Sequence, residues 1–154
     1  MISISTAIDI GTLVVVALTF IYTLINNKKT RRIAVLLAER QKKQEEVFKH
    51  ITYVLDLGRK AYDVDDNLEK QRMKYELLNH KVLIWVHLNK ENRYAKEMRE
   101  SCNKYIFWCA SSLESNDIEE RSKYLFSADD SAKGIWLLID KYIEEEEKLK
   151  YKLI

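Results

Sequence analysis

Two pairs of potential metal ligands stand seven residues apart in the sequence, His80 with His87 and Cys102 with Cys109. Seven residues advance about 10.5 Å along a helix axis, whereas every ligand of a zinc ion must lie about 2.0–2.3 Å from it. Each pair can therefore supply at most one ligand to a shared ion, and two ligands are missing. We expect buried structural residues here, with no metal ion and no other cofactor.

Two carboxylate–imidazole pairs are spaced four residues apart, Glu46 with His50 and Glu76 with His80. Residues at this spacing lie on one helix face, so the two pairs are able to converge across a helical bundle. Di-iron bundles instead use Glu-x-x-His, together with glutamates on the partner helices. The spacing therefore favours surface ion pairs over a metal site.

The sequence contains no motif of a known catalytic site. It has no Gly-x-Ser-x-Gly elbow, no glycine-rich phosphate loop and no His-Glu-x-x-His pair. Its 26 basic and 24 acidic residues nearly cancel, whereas nucleic-acid binding proteins neutralise many phosphates from one basic face. We expect a protein that is not an enzyme and has no nucleic-acid partner.

Helices are the elements predicted to position these residues. The chain has no Pro and only three Gly, so it offers few sites for sharp turns or β-bulges. Apolar residues recur at helical spacing, and polar breaks separate the runs at 63–67, near 89 and at 114–117. The pattern predicts an all-α fold, in which an N-terminal transmembrane helix continues into a stalk and an antiparallel cytoplasmic bundle of about four main helices follows.

The second bundle helix is predicted to begin near residue 67, with Asp66 as its N-cap, and to be the most buried helix. Its predicted inward stripe consists of Leu68, Tyr75, Leu78, Val82 and Trp85, widened by Leu77, Ile84 and Leu88. A third helix carries an apolar stripe over residues 94–113.

The C-terminal part is predicted to form two helices. Asn116 is the expected cap of a short helix that reaches residue 126, and the last helix is expected to begin at 127–131. Near its end, the spacing places Glu144 over Lys148 and Glu146 over Lys150, all in solvent.

Residues 10–25 carry no formal charge and are followed by a basic cluster. Extended to residues 7–27, this run approaches the roughly 20 residues that a helix needs to cross a bilayer. A cleaved signal peptide is disfavoured because its basic region would precede the apolar run. Basic loops stay on the cytoplasmic side, so we expect a single-pass protein of the cell membrane with residues 1–6 outside, a basic stalk at 28–46 and the bundle at 47–154, both in the cytoplasm.

The basic cluster consists of Lys28, Lys29, Arg31 and Arg32. It is interpreted as the collar that sets topology, and it also suits anionic lipid headgroups. Ala7 and Gly11 form a small-xxx-small pair that permits close helix–helix packing. Asp9 is expected to stay hydrated near the outer interface, and its alternative role is an intramembrane polar residue in an oligomeric pore.

The sequence thus predicts a non-catalytic, membrane-anchored interaction or scaffold protein whose partners are the bilayer and either another protein or a second copy of the chain. Two Cys residues are too few for a disulfide framework and fit a reducing cytoplasm. The alternative is a small effector whose anchor oligomerises and permeabilises the membrane, as the layout of bacterial antiphage effectors implies. That alternative rests on Asp9, on Ala7 with Gly11, and on small size.

Overall fold

The computed structural model describes the backbone of residues 4–153 and the side chains of residues 13–153. It contains four helices: α1 Ile4–Lys60, α2 Asn67–His87, α3 Ala95–Glu114 and α4 Ile118–Tyr151. No strand occurs between residues 4 and 153, so the predicted all-α class is confirmed. Within residues 13–153, whose side chains the structure describes, no helix combines the length and the apolarity that crossing a membrane requires.

The chain divides into two units, residues 1–39 and residues 40–154. In the first unit, the described side chains of residues 13–32 are all exposed. The second unit is a helical bundle whose buried core begins at Val47. It includes residues that were predicted to belong to the stalk, and one of them, Arg40, forms an ion pair with Glu91.

All four helices contribute to the core of the bundle. The end of α1 runs antiparallel to α4, since Phe48 packs edge-on against Tyr142, and the hydroxyl of Tyr62, two residues beyond α1, donates to the Leu125 carbonyl. The core includes the following fully buried side chains: Val47, Ile51 and Val54 of α1, Leu77 and Ile84 of α2, Met98, Cys102 and Ile106 of α3, and Ile135 and Tyr142 of α4.

The helix N-caps follow from local sequence. The Asp66 carboxylate accepts a hydrogen bond from the backbone N–H of Glu69 at 2.9 Å, which confirms the predicted start of α2. At α4, the cap is Asp117 and not Asn116, and its carboxylate accepts from the backbone N–H of Glu119 at 3.0 Å.

The prediction of two separate C-terminal helices is wrong. α4 continues without a break through residues 127–131. The hydroxyls of Ser127 and Ser131 bond back to the carbonyls of Lys123 and Ser127, at 3.0 and 2.8 Å. Serines in this arrangement satisfy their own polar groups inside a helix and do not cap a new one.

The predicted inward face of α2 is also wrong. Leu77 and Ile84 are buried as expected, but Leu68, Tyr75 and Val82 are 58–76% exposed, and Leu78 and Trp85 are 40% and 41% exposed. The stripe that faces the core runs from Met73 through Leu77 and Ile84, and it includes the half-buried His80 and His87. Two positions of this buried stripe are histidines, which do not count as apolar. The periodicity of apolar residues in the sequence therefore points to the outer, exposed stripe.

The Glu run of α4 is solvated only in part. The predicted pair of Lys148 with Glu144 is confirmed at 2.6 Å. The predicted pair of Glu146 with Lys150 is wrong, since Lys150 binds Glu147 at 2.7 Å and Glu146 is 1% exposed.

Candidate functional site

Three histidines meet where α1 packs against α2. His50 of α1 lies between His80 and His87 of α2, with its Nδ1 at 3.1 Å from the Nδ1 of His80. Its ring also stacks on that of His87, with the ring centroids 5.7 Å apart. Seven residues separate His80 from His87 along α2, and the neighbouring helix brings His50 to both of them.

A carboxylate adjoins the histidines. Oε2 of Glu46 lies 3.7 Å from Nε2 of His50, and donor atoms of Glu46, His50 and His87 all lie within 4.8 Å of one another. His50 is 8% exposed, and Glu46 and His87 are half-buried. The two cysteines are buried in the core, and this group of donors includes neither.

A chain of contacts holds His80 in place. Its ring stacks on Tyr53 with the centroids 4.2 Å apart and the planes inclined by 17°. The Tyr53 hydroxyl donates to Glu76 at 2.7 Å, and Glu76 also accepts from Nε of Arg72 at 3.0 Å. The second carboxylate–imidazole pair of the sequence therefore orients His80 through Tyr53.

The local environment favours the neutral forms of His50 and His80. Burial lowers the pKa of His50, and the neighbouring His80 lowers it further. Burial also lowers the pKa of His80. Neutral imidazole is the form that binds metal ions, and a set of two imidazoles and one carboxylate is a common ligand set for zinc.

A second candidate site is the outer face of α2, which we call the α2 face and define by Leu68, Tyr75, Leu78, Val82, Trp85 and Val86. All six side chains are exposed by 40% or more. Two adjacent grooves of the described surface lie around Trp85. The charged residues that line them are all basic, namely Lys81, Lys90, Lys96 and Arg99.

Cations cover the ring of Trp85. The guanidinium carbon of Arg99 lies 3.8 Å from the ring centroid, and Nζ of Lys90 lies 5.8 Å from it. Nε of Arg99 is buried and has no hydrogen-bond partner among the described residues. This end of the α2 face therefore combines apolar area with positive charge, and it retains a hydrogen-bond donor that nothing in the described chain satisfies.

A buried polar cluster links the loop between α2 and α3 to α4. The Glu146 carboxylate accepts hydrogen bonds from the side-chain amides of Asn89 and Asn92, at 2.9–3.1 Å. The Tyr142 hydroxyl accepts from the backbone N–H of Asn89 at 2.9 Å. These hydrogen bonds satisfy the buried Glu146 carboxylate, so its burial has a structural explanation. The sequence carries no signal for this cluster, because Glu146 lies within a run of four glutamates.

The residues predicted to act at the membrane lie on α1. The collar residues Lys28, Lys29, Arg31 and Arg32 are all exposed. The side chains of Ala7, Asp9 and Gly11 lie outside those that the structure describes. None of the protein families, curated proteins or solved structures compared with the chain matches it.

Proposed function

We propose that this chain is a single-pass, membrane-anchored helical interaction protein that is not an enzyme. In this proposal residues 7–27 cross the bilayer and residues 28–154 lie in the cytoplasm. The proposed span begins at residue 7, whereas the first residue whose side chain the structure describes is Leu13. Between Leu13 and Ile25, all ten large apolar side chains are 50–72% exposed, and a helix that is apolar on every side suits lipid or the interior of a large protein.

Two polar side chains within this stretch support the anchor. The hydroxyl of Thr19 bonds to the Val15 carbonyl and that of Thr23 to the Thr19 carbonyl, both at 2.8 Å. A bilayer offers polar groups no water, so each has to find its partner within the protein. The exposed basic collar at the far end of the stretch favours an N-terminus outside and also suits anionic lipid headgroups.

The exposure of the α2 face is the observation that carries the interaction function. Exposed apolar patches on soluble surfaces commonly mark interfaces. Amphipathic helices dock in apolar grooves through residues three and four apart, and complementary charge steers the encounter. Because basic residues surround Trp85, we assign the face to an amphipathic helix of a protein partner that carries acidic residues beside its apolar stripe.

In-cell photocrosslinking from single positions tests this assignment. A crosslinker in place of Val82 should give one discrete protein adduct, whereas the same crosslinker in place of Thr52 of α1, exposed outside the α2 face, should not. The adduct should disappear in a Lys81→Glu, Lys90→Glu variant, because both cations adjoin the proposed acidic helix. An adduct with the mass of two copies would indicate self-association instead, and no adduct, or one that survives charge reversal, would contradict the assignment.

The anchor is tested separately by deleting residues 1–27. The shortened chain should leave the membrane fraction and stay helical by circular dichroism, since the core of the bundle begins at Val47. Continued sedimentation with membranes in high salt would refute the single-pass proposal. Expression of the full chain should leave the membrane potential intact, and collapse of the potential would favour the membrane-permeabilising alternative.

A further inference from the structure

Glu46, His50 and His87, at the contact of α1 and α2, place one potential ligand atom each close enough together to bind a single metal ion. In a tetrahedral zinc site with bonds of about 2.0–2.2 Å, donor atoms lie about 3.4 Å apart. The distance between Nε2 of His50 and Oε2 of Glu46 is 3.7 Å, and all three donors fall within 4.8 Å of one another. Closing the set takes movements of about 1 Å, which rotation of half-buried side chains within their rotamer wells supplies.

We propose that Glu46, His50 and His87 bind a divalent transition-metal ion of the Zn²⁺ type, with His80 as the residue that positions His50. Imidazole and carboxylate together suit zinc, nickel and cobalt, whereas magnesium and calcium prefer oxygen donors alone. Three protein donors leave one coordination position for water or an added ligand.

The hydrogen bond between His50 and His80 supports this assignment. With Nδ1 of His50 donating to Nδ1 of His80, the lone pair of Nε2 faces the Glu46 carboxylate. At 3.7 Å these two acceptors are beyond hydrogen-bond distance, and a cation between them removes their repulsion. Metal-bound histidines commonly donate their other ring N–H to a fixed acceptor, which sets the tautomer. Stacking on Tyr53 fixes His80 for this role.

The bound ion would join the two helices. Glu46 and His50 lie one turn apart on α1, and His87 belongs to the last turn of α2. An ion that binds only when these helices are packed raises the stability of the bundle in proportion to the logarithm of its concentration. The simpler alternative is that Glu46 only forms ion pairs, with Lys49, whose Nζ lies 3.5 Å from Oε2, and with a protonated His50, and this alternative predicts no response to metal.

The test uses the full-length chain, purified without a histidine tag in mild detergent and stripped of metal with a chelator. Titration calorimetry with Zn²⁺ should show saturable binding of one ion per chain, and Co²⁺ should give the visible absorption of a tetrahedral site. The melting temperature should rise with Zn²⁺ and not with Mg²⁺.

Single substitutions identify the ligands. Glu46→Gln and His87→Gln should each weaken Zn²⁺ binding by more than about 100-fold, and His80→Gln by about 10-fold, within the range typical of an orienting partner. Glu45→Gln is the matched control, because it removes the same charge from the neighbouring position, where the exposed carboxylate accepts a hydrogen bond from Gln41. Its affinity should equal that of the wild type.

Circular dichroism without metal shows whether each variant is folded. The absence of saturable Zn²⁺ binding to the folded wild-type chain would overturn the proposal. Wild-type affinity in a folded Glu46→Gln or His87→Gln variant would overturn the ligand set. Equal competition by Mg²⁺ would also overturn the ligand set, since the imidazole nitrogens would then contribute nothing to metal selectivity.

Discussion

Replacing each of two helical glycines by alanine is expected to change stability in opposite directions. Gly58 lies in α1 and Gly134 in α4. In a helix interior, alanine is more favourable than glycine by about 1 kcal/mol, because glycine loses more backbone entropy on folding. Helix propensity alone therefore predicts that both substitutions stabilise the protein.

The surroundings of the two glycines differ. Apart from its chain neighbours and its own helix backbone, no described heavy atom would lie within 4 Å of a Cβ atom on Gly134, so the full gain of about 1 kcal/mol is expected there. A Cβ atom on Gly58 would overlap the hydroxyl oxygen of Tyr105 and lie 2.8 Å from the sulfur of Cys109. Tyr105 is 3% exposed, and its hydroxyl donates to the Leu55 carbonyl at 3.2 Å.

The Tyr105 ring is buried, so it cannot move away from a methyl group at position 58 without displacing neighbouring residues of the bundle core. Losing its hydrogen bond costs about 1 kcal/mol, and overpacking costs about 1–3 kcal/mol. Against the gain of about 1 kcal/mol in propensity, Gly58→Ala should destabilise the protein by about 1–3 kcal/mol.

Thermal unfolding of Gly58→Ala, Gly134→Ala and the wild-type chain, followed by far-ultraviolet circular dichroism, measures both effects in one background. The melting temperature should fall for Gly58→Ala and rise for Gly134→Ala. A rise for both variants would show that α1 and α3 are not in close contact at Gly58, and the packing described for the core would then be incorrect.

Three further predictions follow from burial. Ile84→Ala should lower the free energy of unfolding by about 2–5 kcal/mol, because it leaves a cavity in the core, whereas Trp85→Ala should lower it by less than about 1.5 kcal/mol. Equal losses of stability in denaturant titrations would mean that the α2 face is enclosed. Glu146→Ala should lower the free energy of unfolding by about 2–4 kcal/mol, since buried amides lose a charged acceptor. Glu147→Ala should lower it by less than about 0.5 kcal/mol, and similar values for the two variants would place Glu146 in solvent. Burial raises the pKa of the Cys102 thiol from 9.0 to about 12, so the folded state disfavours the thiolate. The stability that Cys102 contributes is therefore lost as pH rises from about 9 to 12. The melting temperatures of the wild type and Cys102→Ala should converge over that range, and parallel curves would contradict the assigned burial.

Composition and local sequence determine much of this protein. The absence of Pro, the three Gly residues and the polar breaks predict helices, and the Asp66 cap and the pair of Glu144 with Lys148 follow from neighbours within one turn. These features depend on residues close together in the chain, and the structure confirms them. The boundary at residues 127–131 was predicted wrongly because a serine hydroxyl has an alternative partner, the carbonyl of the preceding turn.

Only the tertiary structure decides which face of α2 is buried, since α2 carries apolar residues on two sides and its inward stripe includes His80 and His87. It also decides the candidate metal centre. His50 is 30 residues distant from His80 in the sequence, and spacing along one helix carries no information about donors on another. The burial of Glu146 likewise depends on amides from a loop more than 50 residues earlier. Contacts between distant segments are fixed by the packing of whole helices, which the pattern within any one helix does not specify.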